Sequence, residues 1–208
     1  MRRRTLRHAD YAQTLEAMRA FTQARTAQTP DELWQVEHPP VITLGQAGLT
    51  AHLLDTGDIP VVRTERGGQV TFHGPGQLVV YTLIDIRRQG RFVRDLVCRL
   101  EQALIDTLSD AGVLGATRKT NAPGVYVPYQ GELAKIAAIG LKVSRGATYH
   151  GVALNLAMDL SPFKRINPCG FPGLVTVDMA TMGVRLDWQS AADHLCDHIE
   201  SQLVLATA

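Results

Sequence analysis

The chain has 208 residues, of which 45% are apolar, and this is enough for one domain with a hydrophobic core. Lysine and arginine number 21 and aspartate and glutamate number 20, so the formal charge is +1. That balance excludes the global field that draws proteins onto nucleic acid, and no apolar run reaches the length of a signal peptide or a membrane span. We therefore expect a single domain over residues 1–208, with neither nucleic acid nor a membrane as partner.

The cysteines of the chain are Cys98, Cys169 and Cys196, an odd number at no metal-ligand spacing. This argues against a disulfide framework and against a cysteine-based zinc site. Cys98 and Cys196 fall within helical patterns, and we interpret both as small core residues. The reducing cytoplasm is the expected location.

The first half of the chain is predicted to hold one helix and then a series of short strands. The N-terminal segment MRRRTLRHAD is interpreted as a few solvated arginines ahead of an amphipathic helix at residues 11–25. Prolines 39 and 40 separate two extended runs at residues 33–37 and 41–45. Between residues 59 and 85 the runs IPVVR, QVTFH and QLVVYTLID are strand-like and are separated by RGG and GPG turns.

The second half of the chain is predicted to begin and end with helices. Apolar residues follow helical spacing over residues 91–111, with Gly112 as a stop, and again from Asp187 onward. Between these helices GVYV, ELAKIAAIGLKVS and ATYHGVALNLAM are strand-like. Strands joined mostly by hairpin-length turns, with helices set among them, predict an α+β fold with a mixed, largely antiparallel sheet and flanking helices.

Glycines are dense in the segment RGGQVTFHGPGQ, residues 66–77. Such a segment lets backbone N–H groups approach a ligand or supply oxyanion donors. Two tight hairpin turns explain the same residues equally well. The spacing matches neither the dinucleotide-binding nor the phosphate-loop glycine motif.

Lys135 is the charged residue of a small, apolar strand-like run, ELAKIAAIG. Burial of a lysine favours its neutral amine, which accepts a proton at neutral pH. The alternative is an ordinary lysine on a solvated strand face. The sequence therefore offers Lys135 as a candidate base.

Cys169 lies in INPCG, residues 166–170. Pro168 restricts the residue before it to extended geometry, and Gly170 permits unusual backbone angles, so the thiol is displayed on a tight loop. Such a display suits a nucleophile, although an unactivated loop cysteine would have the same local sequence.

Four histidines are candidate site residues. His194 and His198 are one helical turn apart, but no third ligand is evident and a solvated helix flank explains them, so no metal is expected. His73 and His150, each followed by glycine, are better candidates for a site, or else satisfied buried histidines.

The segments RGGQVTFHGPGQLVVY, AKIAAIGLKVSRGATYHGVALNLAMDL and INPCG, in this order, resemble the signature segments of the lipoyl(octanoyl) transferase family. The similarity runs over about residues 37–183 and includes EHPPVITLG. One departure is Phe72, where the family more often has tyrosine or tryptophan, so an aromatic wall is expected to remain.

The resemblance implies a fold like the catalytic domain of biotin and lipoate protein ligases. It implies the first step of protein lipoylation, in which octanoyl moves from octanoyl-acyl carrier protein to a lysine of a lipoyl domain. The acceptors would be the lipoyl domains of 2-oxoacid dehydrogenases and the glycine cleavage H protein. No cofactor and no metal are implied.

By position, Cys169 resembles the acyl-accepting cysteine of the family and Lys135 its catalytic partner. Backbone N–H groups of the Gly170 turn or of residues 138–140 are then candidates for holding the oxyanion. The residues that resemble the family's substrate-binding segments are Arg66, Gly67, Gly68, Gln69, Val70, Thr71, Phe72, His73, Gly74, Gly76, Ala138, Ile139, Gly140, His150, Gly151, Val152 and Ala153.

Other functions remain compatible with this sequence. A lipoyl amidotransferase would use similar chemistry. An ATP-dependent lipoate or biotin protein ligase needs no cysteine nucleophile, so INPCG argues against it. A non-catalytic acyl-binding or carrier-binding module would explain a pocket but not the combination of Cys169 and Lys135.

Overall fold

The computed structural model describes residues 1–204, so residues 205–208 of the expected domain lie outside the described residues. The strands are β1 Arg2–Leu6, β2 Glu32–Val36, β3 Val41–Leu44, β4 Val61–Arg63, β5 Val70–His73, β6 Gln77–Leu83, β7 Gly124–Tyr129, β8 Glu132–Ser144 and β9 Ala147–Asn155. The helices are α1 Tyr11–Ala24, α2 Val93–Asp110 and α3 Trp188–Val204. Short 3₁₀ turns lie at Thr50–His52, Ser161–Arg165 and Pro168–Gly170.

The strands form two sheets. A six-stranded sheet has the order β1-β2-β6-β9-β8-β7 and is antiparallel except for the parallel pair β1 and β2. A three-stranded sheet has the order β4-β3-β5, with β3 parallel to β4 and antiparallel to β5. The predicted α+β fold with mixed, largely antiparallel pairing is confirmed.

The expectation of one sheet is wrong, because the short turn between β5 and β6 is not a hairpin. β5 pairs with β3, whereas β6 pairs with β2 and β9 in the larger sheet. Gly76, with φ +83°, lies in this turn, and a Cβ there would stand 2.0 Å from the carbonyl oxygen of Ala157. The glycine therefore lets the chain cross a neighbouring backbone as it passes from one sheet to the other.

The larger sheet is covered on both faces, as the alternation along β6 requires. Leu78 and Val80 belong to the main core with residues of α2 and α3, whereas Val79 and Tyr81 pack with α1 on the opposite face. Asp10 begins α1 by accepting a hydrogen bond from the Gln13 N–H at 2.9 Å. No helix in the described part of the chain is long and apolar enough to span a membrane.

The interpretation of the N-terminal arginines as merely solvated is wrong, because residues 2–6 form a strand. Arg3 lies 2.7 Å from Asp197 and 3.0 Å from Glu200, and Arg4 lies 2.7 Å from Glu32. These carboxylates come from α3 and β2, far away in sequence. A local hydrophobic pattern cannot reveal a strand whose side chains are paired in this way.

The three cysteines are free thiols in three different surroundings. Cys196 is buried as predicted, and Cys169 is partly exposed. Cys98 is exposed, so its interpretation as a core residue is wrong. Since α2 turns Leu96 and Leu100 toward the core, a residue two positions from each lies on the outward face.

Candidate active site

The side chains of Cys169 and Lys135 meet, although 34 positions separate them in sequence: Lys135 Nζ lies 3.1 Å from Cys169 Sγ. A short stretch of parallel pairing after the cysteine loop explains this contact. Lys135 N–H donates to Val175 O at 2.8 Å, and Val177 N–H donates to Lys135 O at 3.0 Å. The returning chain is thereby fixed beside β8, which brings the cysteine loop against the lysine.

Cys169 has an uncommon backbone conformation, φ 56° and ψ 18°, in the left-handed region that non-glycine residues rarely adopt. Two short hydrogen bonds close this turn: Gly170 N–H donates to Asn167 O at 2.9 Å, and Phe171 N–H donates to Pro168 O at 3.0 Å. Backbone strain of this kind is concentrated at functional sites. The Gly170 N–H is therefore used inside the turn, and oxyanion donation by this turn or by residues 138–140 stays a prediction.

Lys135 is 6% exposed, and its amine is held on three sides. Besides Cys169, Nζ contacts Pro123 O at 2.9 Å and lies 5.2 Å from the ring centroid of Tyr126. Burial raises the pKa of the Tyr126 hydroxyl. Donation to a carbonyl oxygen fixes one N–H of the amine and turns the group toward the sulfur.

A cavity of about 470 Å³ opens beside this pair. Both Cys169 and Lys135 line it. All but three of the predicted substrate-binding residues also line it: Arg66, Gly67, Gly68, Gln69, Val70, Thr71, His73, Ala138, Ile139, Gly140, His150, Gly151, Val152 and Ala153. The structure thus gathers the three sequence segments around one space.

Phe72 is one of the three exceptions, so the expected aromatic wall is wrong. Its ring packs edge-on against Phe163 at a centroid distance of 5.6 Å, in the cluster that contains Ile42. The side chains of Thr71 and His73 alternate with that of Phe72 along the strand and line the cavity, which Val70 also lines at the start of the strand.

Gly74 and Gly76 are the other exceptions, and they do not line the cavity as predicted. A Cβ at Gly74 would lie 2.6 Å from the Phe72 ring. Gly76 N–H donates to Glu37 Oε1 at 2.9 Å, and its carbonyl accepts from the N–H of Ala157 at 3.1 Å. Both glycines permit close packing behind the site.

The cavity also has walls that the sequence did not reveal. They come from separate elements: Tyr11, Ala47, Val79, Tyr81, Val93, Val97, Asn121, Ala122, Pro123, Leu141 and Phe171. The i, i+4 spacing of Val93 and Val97 marks an apolar helix face but does not say which space that face adjoins.

Arg66 is a buried cation that clamps the glycine-rich segment. Its guanidinium donates to Thr43 O at 2.8 Å, Gln69 O at 2.7 Å and Gly67 O at 3.0 Å. Within residues 1–204 it forms no ion pair with a carboxylate, and burial lowers the pKa of Arg66. Backbone carbonyl oxygens therefore stabilise the guanidinium charge, and these hydrogen bonds fix the conformation of the glycine-rich segment.

His38, which was not predicted as a site residue, lies behind the cavity. Its Nδ1 is 2.6 Å from Ala9 O and its Nε2 is 2.7 Å from the hydroxyl of Tyr81. A carbonyl only accepts, so Nδ1–H donates to it and Nε2 accepts from the tyrosine. In the sequence it is the histidine of EHPP, residues 37–40, a run whose prolines indicate only a break between two strands.

His73 and His150 are neutral at physiological pH. Burial lowers the pKa of each to about 3. His73 Nδ1 lies 2.7 Å from Gln77 Oε1 and donates to it. His150 has a left-handed backbone, φ 61°, and its ring stacks on Tyr149. Both side chains are therefore uncharged parts of the cavity wall.

In the described part of the chain, no three His, Cys, Asp or Glu side chains are grouped so as to hold a metal ion. His198 Nε2 instead lies 2.9 Å from Asp110 Oδ2, between α3 and α2. His194 is exposed on α3.

Known proteins resemble this chain both in sequence and in fold. Residues 10–200 match the model of the lipoyl protein ligase A/B catalytic domain. A protein named octanoyltransferase from Bordetella petrii is 62% identical over 195 residues, covering 93% of this chain and 92% of that protein. Another of the same name, from Methylibium petroleiphilum, is 55% identical over 222 residues, covering 98% of each.

Solved structures share the fold at low sequence identity. A bipartite lipoate protein ligase from Thermoplasma acidophilum has a TM-score of 0.75 at 16% identity, covering 98% of this chain and 84% of that one. Biotin protein ligase from Aquifex aeolicus has a TM-score of 0.60 at 10% identity, covering 99% and 70%. The predicted likeness to the catalytic domains of these ligases is confirmed.

Proposed function

Since the chain belongs to the lipoyl protein ligase A/B catalytic domain family, and within it to the octanoyltransferases, we propose that it transfers octanoyl through a thioester on Cys169. The donor is octanoyl-acyl carrier protein and the acceptor is a lysine of a lipoyl domain. The proposed unit is one acyltransferase domain that acts in the cytoplasm. The observation that carries the proposal is the 3.1 Å contact between Lys135 Nζ and Cys169 Sγ at the edge of the cavity.

The first half of the reaction exchanges one thioester for another. The Cys169 proton passes to the Lys135 amine, and the sulfur attacks the octanoyl carbonyl. A bond forms between Sγ and the carbonyl carbon, and the bond from that carbon to the carrier sulfur breaks. Lys135 returns the proton to the leaving carrier thiolate, so the products are octanoyl-Cys169 and the free carrier thiol.

The second half converts the thioester into an amide. The neutral amine of the acceptor lysine attacks the octanoyl carbonyl, and Lys135 takes the proton that the new amide nitrogen loses. The Cys169 sulfur leaves and regains a proton from Lys135. Because an amide is more stable than a thioester, the transfer proceeds without ATP.

The cavity holds the hydrocarbon chain against apolar side chains. Burial of about six methylenes at ~0.8 kcal/mol each supplies roughly 5 kcal/mol of binding free energy. One methylene more or less changes this by only about 1 kcal/mol, so the walls discriminate weakly between neighbouring chain lengths. The apolar walls include Val79, Val97, Ile139, Leu141 and Val152.

The covalent step is tested by intact mass after incubation with octanoyl carrier protein. The wild-type chain is expected to gain one octanoyl group that hydroxylamine removes. Cys169→Ala is expected to gain none and to lose turnover by a factor of about a thousand or more, as when other nucleophiles are removed. The control is Cys98→Ala, which removes an exposed thiol that does not line the cavity, and this variant should be acylated normally. Stable acylation of Cys169→Ala would assign the nucleophile elsewhere.

A further inference from the structure

A single peptide unit links helix α2 to the reacting pair. The N–H of Gly124 donates to Glu101 Oε1 at 3.0 Å, and the C=O of Pro123, in the same peptide unit, accepts from Lys135 Nζ at 2.9 Å. The peptide is planar, so its two hydrogen bonds point in opposite directions. Glu101, the peptide, Lys135 and Cys169 therefore form one continuous series of contacts.

Glu101 is an unusual residue for the place it occupies. It is 6% exposed on α2, beside the core residues Leu100 and Leu104. A buried carboxylate is costly unless its oxygens are bonded, and here the second oxygen lies 3.2 Å from Nε of the half-exposed Arg118. A leucine would complete the apolar face of the helix at lower cost, which indicates that the carboxylate has a further role.

We propose that Glu101 is a positioning residue that acts through this peptide on Lys135. A carboxylate bonded to the N–H strengthens the carbonyl of the same unit as an acceptor, because hydrogen bonds in series polarise one another. The carbonyl holds the Lys135 amine against the sulfur, and the nearby negative charge favours the ammonium form. The inference deepens the proposed function, because it rests on Lys135 as the group that carries the proton.

The other polar groups around Lys135 do not duplicate this charge. Cys169 faces the amine from the loop after β9, and Tyr126 presents its ring from β7. Lys119 Nζ lies 5.8 Å from the same ring, and its positive charge opposes the ammonium form of Lys135. Arg66 is a cation close enough to Cys169 for their charges to interact. Among these described residues, Glu101 is the one that carries a carboxylate.

The test follows the protonation of Lys135 without any acyl transfer. In a Cys169→Ala chain, trace acetic anhydride acetylates free amines between pH 6 and 11, and peptide mass spectrometry reads each lysine separately. Glu101→Gln keeps an amide oxygen for the Gly124 N–H but removes the charge. We expect it to lower the pH of half-maximal acetylation of Lys135 by about one unit, the effect of a charge several ångströms away.

Two matched controls accompany this measurement. Asp95→Asn removes a carboxylate of the same helix that pairs with Arg91 and Arg99, and it should leave the Lys135 midpoint in place. Lys164, which is exposed, should titrate identically in every variant. Thermal unfolding shows whether each variant is folded.

In the chain with Cys169 intact, Glu101→Gln should lower kcat about tenfold and leave KM for octanoyl carrier protein nearly unchanged. An unchanged Lys135 midpoint overturns the proposal, even if the variant is less stable, since a purely structural role predicts that outcome. An unchanged kcat overturns it as well. If the wild-type chain transfers no octanoyl, the proposed function fails, while the acetylation midpoint still decides the role of Glu101.

Discussion

Lys135 and Cys169 stand out by residue type and local sequence alone. A lysine among small apolar residues and a cysteine between proline and glycine are uncommon combinations, and both can be recognised in the sequence. The contact itself depends on Val175 and Val177 pairing beside β8, which is a long-range event that no local pattern contains. Glu101 was missed for the same reason.

The role of Lys135 predicts how the thiol responds to pH. In Lys135→Ala the sulfur loses its proton acceptor and the charge beside it, so alkylation of Cys169 by iodoacetamide should require a higher pH. We expect the rate at pH 7 to fall about tenfold or more, given that about 1.4 kcal/mol is a tenfold effect. Mass spectrometry of the Cys169 peptide measures this rate.

The matched control is Lys164→Ala, which removes an exposed lysine outside the cavity and should leave the alkylation profile unchanged. If Lys135→Ala gave the wild-type profile, Lys135 would be no more than a buried lysine that packs beside the sulfur.

At the scale of elements, periodic sequence patterns predict most helices and strands, with bounds that differ from the observed ones by one or two residues. Strand β1 was missed because its arginines are stabilised by distant carboxylates, such as Asp197. The assignment of β5 and β6 to different sheets was also missed, since their separation by GPG is what a hairpin would show. The Phe72 error followed from this, because the partner sheet decides which side chains of β5 reach the cavity.

The start of β7 is expected to tolerate no side chain at Gly124. With φ +129°, this residue would place a Cβ 2.6 Å from Ala137 O and 2.7 Å from Lys135 Cε. Gly124→Ala should therefore cost about 2–4 kcal/mol of unfolding free energy, from backbone strain together with overpacking. It should also slow alkylation of Cys169 by displacing the amine. Urea unfolding and the alkylation rate measure the two effects.

Gly131→Ala is the control, because Gly131 also has a positive φ, +86°, in the turn after β7 but has open space around it. It should cost only the strain, about 1–2 kcal/mol, and leave alkylation unaffected. Equal effects of the two substitutions would contradict the account of how β7 fixes Lys135.

At the scale of the whole molecule, buried histidines should make stability depend on pH. The pKa of His73 and of His150 is lowered by burial to about 3, and burial also lowers that of His38. A histidine in the unfolded chain titrates near 6.5. Between pH 3 and pH 6.5 the unfolded chain binds more protons than the folded chain. The unfolding free energy is therefore highest above about pH 6.5 and decreases as the pH falls.

His73 and His150 each contribute a slope of about 1.4 kcal/mol per pH unit between roughly pH 6 and pH 4. Urea unfolding at pH 7, 6 and 5 measures the sum, and His73→Gln should remove one histidine's share of the slope. The lowered pKa of Glu65, about 2, changes stability mainly below pH 4.5, where an unfolded glutamate becomes protonated, and so below the pH values of this measurement. A free energy of unfolding that stays constant from pH 7 to 5 would show that these rings become charged without unfolding the core.

The role of octanoyl-Cys169 as the intermediate is tested most directly by a chase experiment on the isolated octanoyl-enzyme. The acylated chain is freed of carrier protein, mixed with an unmodified lipoyl domain in the absence of ATP, and quenched at short times. Octanoyl should leave Cys169 and appear on the acceptor lysine one for one, at a rate no slower than steady-state turnover. An octanoyl group that stays on Cys169, or is only hydrolysed, while the complete mixture modifies the lipoyl domain would contradict the account.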